Sequence, residues 1–339
     1  MSALVVLHGS PRQRGLGQAR ACPGLAPLVR DAVRSRLAAA PRNEPFLAAQ
    51  HDATLALAPE ALEEISGIAE GFGLEPREVF DFLHIGCLND LAAAPLDTDG
   101  CTAFARDGVV AKNRDFRPEH VALQRVFLHE DPAWAGRQVL CVGSLGAPGA
   151  WSSGMNSSGF ALADTQIATA EHGPGILRYF LMNRLLAHCA TVADAIAGIR
   201  LVPHAGGGSL VLADRSGAGA AVELRHGRVD IEAGGTVAHT NHYLAAPDRL
   251  PAVAHSVGRL ETLRAALAEA PVRDARAVLA LHAPTALCRH APDPSPTLAG
   301  AIWDTRTLEA AIALGPPCST GWHRFVHTPD GWRETHALA

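Results

Sequence analysis

The segment Pro95-Leu96-Asp97-Thr98-Asp99-Gly100 divides the chain into two textures, and that division limits the fold more than any other feature of the sequence. Before it, after a short β-like run at Leu4–Leu7 and the turn His8-Gly9-Ser10-Pro11, the pattern is helical. Residues 16–40 are rich in Ala, Leu and Arg, with Pro23 and Pro27 interrupting the first part. Pro59–Gly71 has a proline suited to a first turn, early glutamates and a closing glycine. Glu75–Ala92 carries the apolar residues of a buried helical face. After the break come short runs around tight turns: 102–105, 109–113, 139–142, 149–155 and 160–163, with Asp107-Gly108 and Ser157-Ser158-Gly159 as hairpin signals. Helices are expected at 176–189 and 192–199, strands at 209–213, 220–224 and 236–240, helices at 248–269 and 273–283, and final strands at 301–303, 310–314 and 322–326. Blocks of helices alternating with blocks of strands, without a βαβ succession or an internal repeat, fit an α+β layered sandwich.

Composition removes several classes of function. With 48% hydrophobic and 19% charged residues and a formal charge of -5, the chain reads as globular, and no basic run suggests a nucleic-acid or acidic-membrane partner. No apolar stretch reaches a membrane-spanning length, and Met1–His8 lacks the pattern of a signal peptide. Seven scattered cysteines, an odd number without a C-x-x-C pair, fit a reducing cytoplasm better than a disulfide framework.

Three places could carry chemistry. Cys101 follows a flexible turn and opens a β-run. If the turn is strained, its sulfur can attack the Gly100 carbonyl, and hydrolysis of the resulting thioester leaves Cys101 as a new N-terminus whose α-amine, of pKa about 7.7–8.0 in the open, serves its own thiol as base. Taken alone, a free cysteine is more often a small buried hydrophobe. Asn113-Arg114-Asp115-Phe116 closes the next β-run, so a hairpin turning at Asp107-Gly108 brings Asp115 back beside Cys101, as catalytic carboxylate or as strand-end cap. Asn241, in His239-Thr240-Asn241-His242, offers an amide N–H to an oxyanion or is a turn residue.

Together these segments resemble the penicillin acyltransferase family of self-processing cysteine hydrolases, peptidase family C45, over nearly the whole chain. The resemblance rests on His8–Gly15, Glu63–Gly71, Asp99-Gly100-Cys101-Thr102, Asn113–Phe116, Gly154–Gly159 (containing Asn156) and Thr240-Asn241-His242, in order. It implies a four-layer αββα fold of the amino-terminal-nucleophile (Ntn) hydrolases, with Cys101 as nucleophile, Asp115 as active-site carboxylate and Asn241 as oxyanion donor. It also implies a largely helical short chain 1–100 and a catalytic chain 101–339 that stay associated as one compact domain. The expected activity is an N-acyl amide hydrolase or acyltransferase working through an acyl-Cys101 thioester on a small-molecule acyl donor. Water or an amine accepts the acyl group, and neither a metal nor an organic cofactor is needed, with acyl-CoA as a potential cosubstrate.

Arg114 departs from the aromatic residue of the family motif; it stabilises the thiolate, binds a substrate carboxylate, or points outward along the strand. Lys112, where related bile-salt hydrolases carry Arg, either assists catalysis or is solvated. Asn156 and Gln166 are further substrate-binding candidates, and Asp164 and Gln166 could line a pocket or serve structure. The rivals are an uncleaved cysteine hydrolase with His242 as base, and a silent member acting as a binding or scaffold protein. Arg14-Gly15-Leu16-Gly17 lacks the third glycine of a dinucleotide loop, His239-x-x-His242 lacks a third metal ligand, and no G-x-S-x-G elbow is present.

Overall fold

The computed structural model describes residues 4–93, 100–246, 250, 252–269 and 274–338. The polar turn Pro95–Asp99, with Asp99 of the cleavage motif, lies outside the described residues, as do the starts of the helices expected at 248 and 273.

The helical opening is built from strong stop and start signals. After β1 (Leu4–His8), Ser10 caps α1 (Pro11–Ala21) in a reciprocal pair with Gln13. Pro23 sits in a short 3-10 turn, so that α2 (Ala26–Ala39) begins afresh with Pro27 in its first turn. A helix not evident in the sequence, α3 (Glu44–Leu57), follows behind Asn43, whose side chain accepts from the Phe46 N–H. α4 (Pro59–Phe72) ends at left-handed Gly73. The expected helix over 75–92 is two helices, α5 (Pro76–Leu83) and α6 (Ile85–Leu91), separated at His84.

Two motif glycines have a packing role. A Cβ on Gly15 would lie 2.2 Å from the Glu64 carbonyl oxygen, and one on Gly67 would lie 2.0 Å from that of Arg12. Helices α1 and α4 therefore cross backbone to backbone, which only glycine permits. Beside that crossing, buried Arg14 is paired with Glu64 and Asp131.

The strands form two sheets. One has the order β1-β4-β5-β6-β7-β8-β9-β10 and contains β4 (Gln124–Glu130), β5 (Gln138–Ser144), β6 (Ser153–Asn156), β7 (Phe160–Thr165), β8 (Ser209–Asp214), β9 (Gly219–Arg225) and β10 (Arg228–Ala233). The other has the order β11-β2-β3-β12-β13-β14-β15. It contains β2 (Gly100–Arg106), β3 (Val109–Asp115), β11 (Thr236–His239), β12 (Thr297–Asp304), β13 (Glu309–Ala313), β14 (Trp322–Thr328) and β15 (Gly331–Leu338). Of these, β4, β10 and β15 were not evident in the sequence. Helices α7 (Arg178–His188) and α8 (Val192–Arg200) join the first six, whereas α9 (Ala254–Ala268) and α10 (Ala275–Leu279) stand apart.

Three cores separate four layers. The first packs α1–α8 on one face of the eight-stranded sheet, with Phe127, Cys141 and Leu162 facing the helices. The second lies between the sheets, where Val126, Leu140 and Val142 meet Ala103, Val110, Trp303 and Phe325. The third packs Phe104, Ala111 and Ala313 against Leu260, Leu263 and Leu279 of α9 and α10. The expected αββα sandwich is thus present. Both sheets are buried on both faces, which is why runs such as Val139–Val142 are continuously apolar rather than alternating.

Candidate active site

The hairpin of β2 and β3 sets the site. Asp107 and Gly108 turn it with positive φ at both positions, 49° and 82°, the geometry that matches strand twist. The resulting register pairs Gly100 with Asp115, Cys101 with Arg114 and Ala103 with Lys112. Pleating then sorts the side chains. Cys101, Lys112 and Arg114 share the face toward the other sheet, while Thr102, Asn113 and Asp115 share the face toward α9 and α10. On the other side of β2, β11 runs antiparallel with His239 opposite Ala103, so the chain leaving β11 carries Asn241 to the head of β2.

At that point the Asn241 side-chain oxygen accepts a hydrogen bond from the Cys101 backbone N–H at 2.8 Å, and its amide nitrogen donates to the Gln166 carbonyl at 2.7 Å. Asn241 is held from below by Ser256, whose hydroxyl accepts from the Asn241 N–H at 2.8 Å. Arg259, from α9, reaches the same place. Its guanidinium donates to the Cys101 carbonyl, to Thr102 Oγ1 and to the Asn241 side-chain oxygen.

Asp115 is buried against this cluster. Its Oδ1 accepts from Thr297 Oγ1 at 2.6 Å, and Arg289 Nη1 lies 3.6 Å from Oδ2. Burial raises its pKa, although Arg259, Arg289 and the Thr297 hydroxyl oppose the rise. Gly100 meets the carboxylate directly, since a Cβ there would stand 2.7 Å from both Asp115 Oδ2 and Arg289 Nη1.

On the sulfur side, Lys112 is buried, with only 2% of its surface exposed, and forms an ion pair with Asp164, which Arg178 Nε also contacts at 2.9 Å. The solvated alternative for Lys112 is therefore overturned, and Asp164 belongs to the floor of the site. Burial penalises the Asp164 carboxylate, but the two cations outweigh it and hold its pKa below the usual value. Burial also pushes the Cys101 thiol up, with Lys112 opposing and Asp164 reinforcing.

Cys101, Lys112, Asp115, Asp164, Asn241 and Arg259 line a cavity of about 400 Å³ that also includes Gln166 and His242, a volume suited to a small molecule. Apolar walls come from Phe82, Leu83, Phe116, Trp151, Ile167 and Tyr179. Arg114 points into the cavity rather than outward. Its guanidinium lies 5.1 Å from the Phe116 ring centre and 5.8 Å from that of Trp151, and it donates to Gln124 Oε1 at 3.2 Å. Gln166 accepts from Arg178 at 2.6 Å through Oε1.

Asn156, by contrast, does not line this cavity. Its amide nitrogen donates to the Leu186 and Cys189 carbonyls, and its oxygen accepts from Ser158 and Phe160, so it ties the β6–β7 turn to the end of α7. The substrate-binding expectation for Asn156 is replaced by a structural role that consumes its hydrogen bonds. His239 pairs with Glu223 at 2.9 Å, and His242 Nδ1 lies 2.8 Å from the Ser256 hydroxyl, so the two histidines face different partners. The residues sequence reasoning missed are Arg178, Ser256, Arg259, Arg289 and Thr297. None belongs to a motif, and Arg259 lies in an Ala-rich helix whose other arginine, Arg264, looks the same in sequence.

A helix-covered pair of sheets, with a cysteine and its backbone nitrogen at the head of an inner strand, is the architecture of the Ntn hydrolases. Residues 103–318 match the acyl-coenzyme A:6-aminopenicillanic acid acyl-transferase family, and the chain belongs to that family. No curated protein sequence matches the chain. Among solved structures, the chain is similar to a mutant of the conjugated bile acid hydrolase from Clostridium perfringens, with 12% identity over 70% of this chain and 97% of that one and a TM-score of 0.44. It is also similar to a penicillin V acylase from Agrobacterium tumefaciens, with 13% identity over 70% and 98% and a TM-score of 0.43.

Proposed function

We propose that this protein is a self-processing amide hydrolase or acyltransferase with Cys101 as its nucleophile. The observation that carries the reading is the grip of Asn241 on the Cys101 nitrogen at one end of the cavity. In the uncut chain that nitrogen is an amide, and after cleavage it is the amine the chemistry requires.

In maturation, the Cys101 sulfur attacks the Gly100 carbonyl carbon, the peptide C–N bond breaks, and the nitrogen takes up the thiol proton. Water then hydrolyses the Gly100 thioester and restores the thiol. Gly100 and Cys101 are thus the two sides of the cut. Asp115, packed against Gly100 and fixed by Thr297, supplies negative charge beside the emerging ammonium. In turnover, the free amine takes the thiol proton while sulfur attacks an acyl carbonyl, and then returns that proton to the leaving amine. Burial pushes the Cys101 thiol pKa up, which favours passing its proton to an adjacent base over standing as free thiolate. Asn241 contributes a side-chain N–H to the oxyanion. Water or an acceptor amine releases the acyl group from the Cys101 thioester, and acyl-CoA could serve as donor without being a bound cofactor.

The aromatic and aliphatic walls suit an apolar acyl group. Arg114, held between two rings, suits a carboxylate on the substrate. Gln166 contributes a side-chain amide to the same wall. The floor of Lys112, Asp164 and Arg178 is already internally paired, which favours positioning over direct contact with a charged substrate.

Intact mass of the purified protein tests the reading. Two fragments are expected, the larger beginning at Cys101, with Cys101→Ala remaining whole. An uncut wild-type chain that still turns over an acyl amide would replace this reading with the His242 mechanism, and an uncut, inactive chain would leave a scaffold. The cytoplasmic setting is part of the proposal. Among the described residues, no helix is long and apolar enough to cross a membrane.

A further inference from the structure

Away from the cavity, four side chains from two segments converge on one point. His282, Cys288 and His290 lie between α10 and β12, and Cys318 lies in the turn after β13. Their ligand-type atoms all fall within 4.8 Å of one another. His290 Nε2 is 3.1 Å from His282 Nε2, 3.2 Å from Cys318 Sγ and 3.6 Å from Cys288 Sγ, and the two sulfurs are 3.6 Å apart.

These separations resemble the edges of a coordination tetrahedron. Metal–sulfur bonds of about 2.3 Å and metal–nitrogen bonds of about 2.0–2.1 Å give edges of roughly 3.3–3.8 Å. Hydrogen bonding among the four groups explains the cluster less well. One imidazole Nε2 has a single proton or a single lone pair, yet three polar atoms approach that of His290.

We propose that His282, Cys288, His290 and Cys318 form a structural zinc site. Two thiolates with two imidazoles suit zinc rather than calcium or magnesium, which take oxygen ligands. Four protein ligands close the coordination sphere, so the site holds chain segments together and leaves no position for substrate. On binding, each cysteine gives up its thiol proton to solvent and each histidine coordinates as neutral imidazole. The sequence reading expected no metal anywhere in the chain, and this proposal departs from it. The ligands are not the His239-x-x-His242 pair but His282, the Cys288-x-His290 segment and Cys318, 28 positions beyond His290.

The staple also bears on the catalytic carboxylate. Arg289 stands between two ligands, and its side chain faces Asp115 Oδ2. Its backbone N–H donates to Thr297 Oγ1 at 2.8 Å, and that hydroxyl donates in turn to Asp115. Zinc would thus fix the loop that supports Asp115. The assignment does not depend on Cys101 being the nucleophile.

The test is metal content and cobalt spectroscopy of the full chain, purified with a thiol reductant and without chelator. About one zinc per chain is expected. After chelation, cobalt(II) should produce the intense visible bands of tetrahedral coordination and a thiolate-to-cobalt charge-transfer band. Cys318 is exposed, so Cys318→Ser should fold; it should lose the charge-transfer intensity from one sulfur and bind zinc at least tenfold more weakly. His290→Ala should weaken zinc similarly. A wild-type chain that retains no zinc and gives no thiolate–cobalt band overturns the proposal. So does full zinc affinity in both variants, or a Cys288–Cys318 disulfide in the reductant-purified protein.

Discussion

The side-chain oxygen of Asn241 accepts the backbone N–H of Cys101 at 2.8 Å across 140 positions of sequence. The same side chain donates to Gln166 and receives Arg259, so its rotamer is fixed from three directions. This leaves one amide hydrogen available for an oxyanion. Asn241→Ala should therefore lower kcat by about 10²–10³-fold, corresponding to roughly 2.7–4 kcal/mol of lost transition-state stabilisation. Steady-state kinetics on an acyl amide, with circular dichroism to confirm folding, checks this. A loss confined to KM would mean that Asn241 only binds substrate.

Gly100→Ala tests the proposed self-cleavage. The added methyl would meet Asp115 Oδ2 and Arg289 Nη1 at 2.7 Å. Both are well-held polar groups, so the strand must shift and carry the Gly100 carbonyl away from the sulfur. The variant should remain largely uncut while Cys101 and the cavity persist. Intact mass followed over time after purification reads the rate. Cleavage at the wild-type rate would show that the contact places no demand on the scissile bond.

The fold was legible wherever a local rule operated. Asp107-Gly108 specified the hairpin that returns Asp115 to Cys101, and Pro59 with the glycine-rich end of α4 marked that helix. α3 escaped because Pro45 and the weakly periodic run behind it look like a loop until Asn43 caps it. β4 escaped because its apolar stretch is only Val126-Phe127-Leu128, flanked by Gln124, Arg125, His129 and Glu130, polar residues whose burial in the sheet the sequence does not announce. The site divided along the same line. Cys101, Asp115 and Asn241 were legible because short motifs carry them, and the structure gathers them at one cavity. Arg259, Arg289 and Thr297 were not, because what matters about them is tertiary placement. Asn156 shows the converse: a motif asparagine selected for a turn and a helix end looks the same in sequence as one that binds substrate.

The Lys112–Asp164–Arg178 group yields a stability prediction with a definite sign. All three side chains are almost completely buried. Asp164→Asn removes the only negative member and leaves two buried cations, a change that costs about 3–5 kcal/mol. The native pKa of Asp164 is depressed, so its contribution is fully present above the unfolded value of about 3.9 and is lost as pH falls through the lower native value. The gap between wild type and variant in urea unfolding should be widest above about pH 4 and close below it. A gap that widens under acid would contradict the ion-pair assignment.

The identity of the general base can be decided by a pH profile. Burial, with help from nearby His239 and Arg259, lowers the His242 pKa to about 4. If His242 took the thiol proton, the rising limb of kcat/KM would fall near pH 4, because the free histidine would already be neutral above it. If the Cys101 amine is the base, the limb should fall near its ordinary value of about 7.7–8.0, displaced by Asp115 toward higher pH because a carboxylate favours the ammonium. His242→Gln should then keep the position of that limb and lose no more than about tenfold in kcat, since Gln can still bond Ser256 behind Asn241 and lacks only the imidazole. A limb near pH 4 that disappears in the variant would transfer the base to His242 and remove the need for a free N-terminus at position 101.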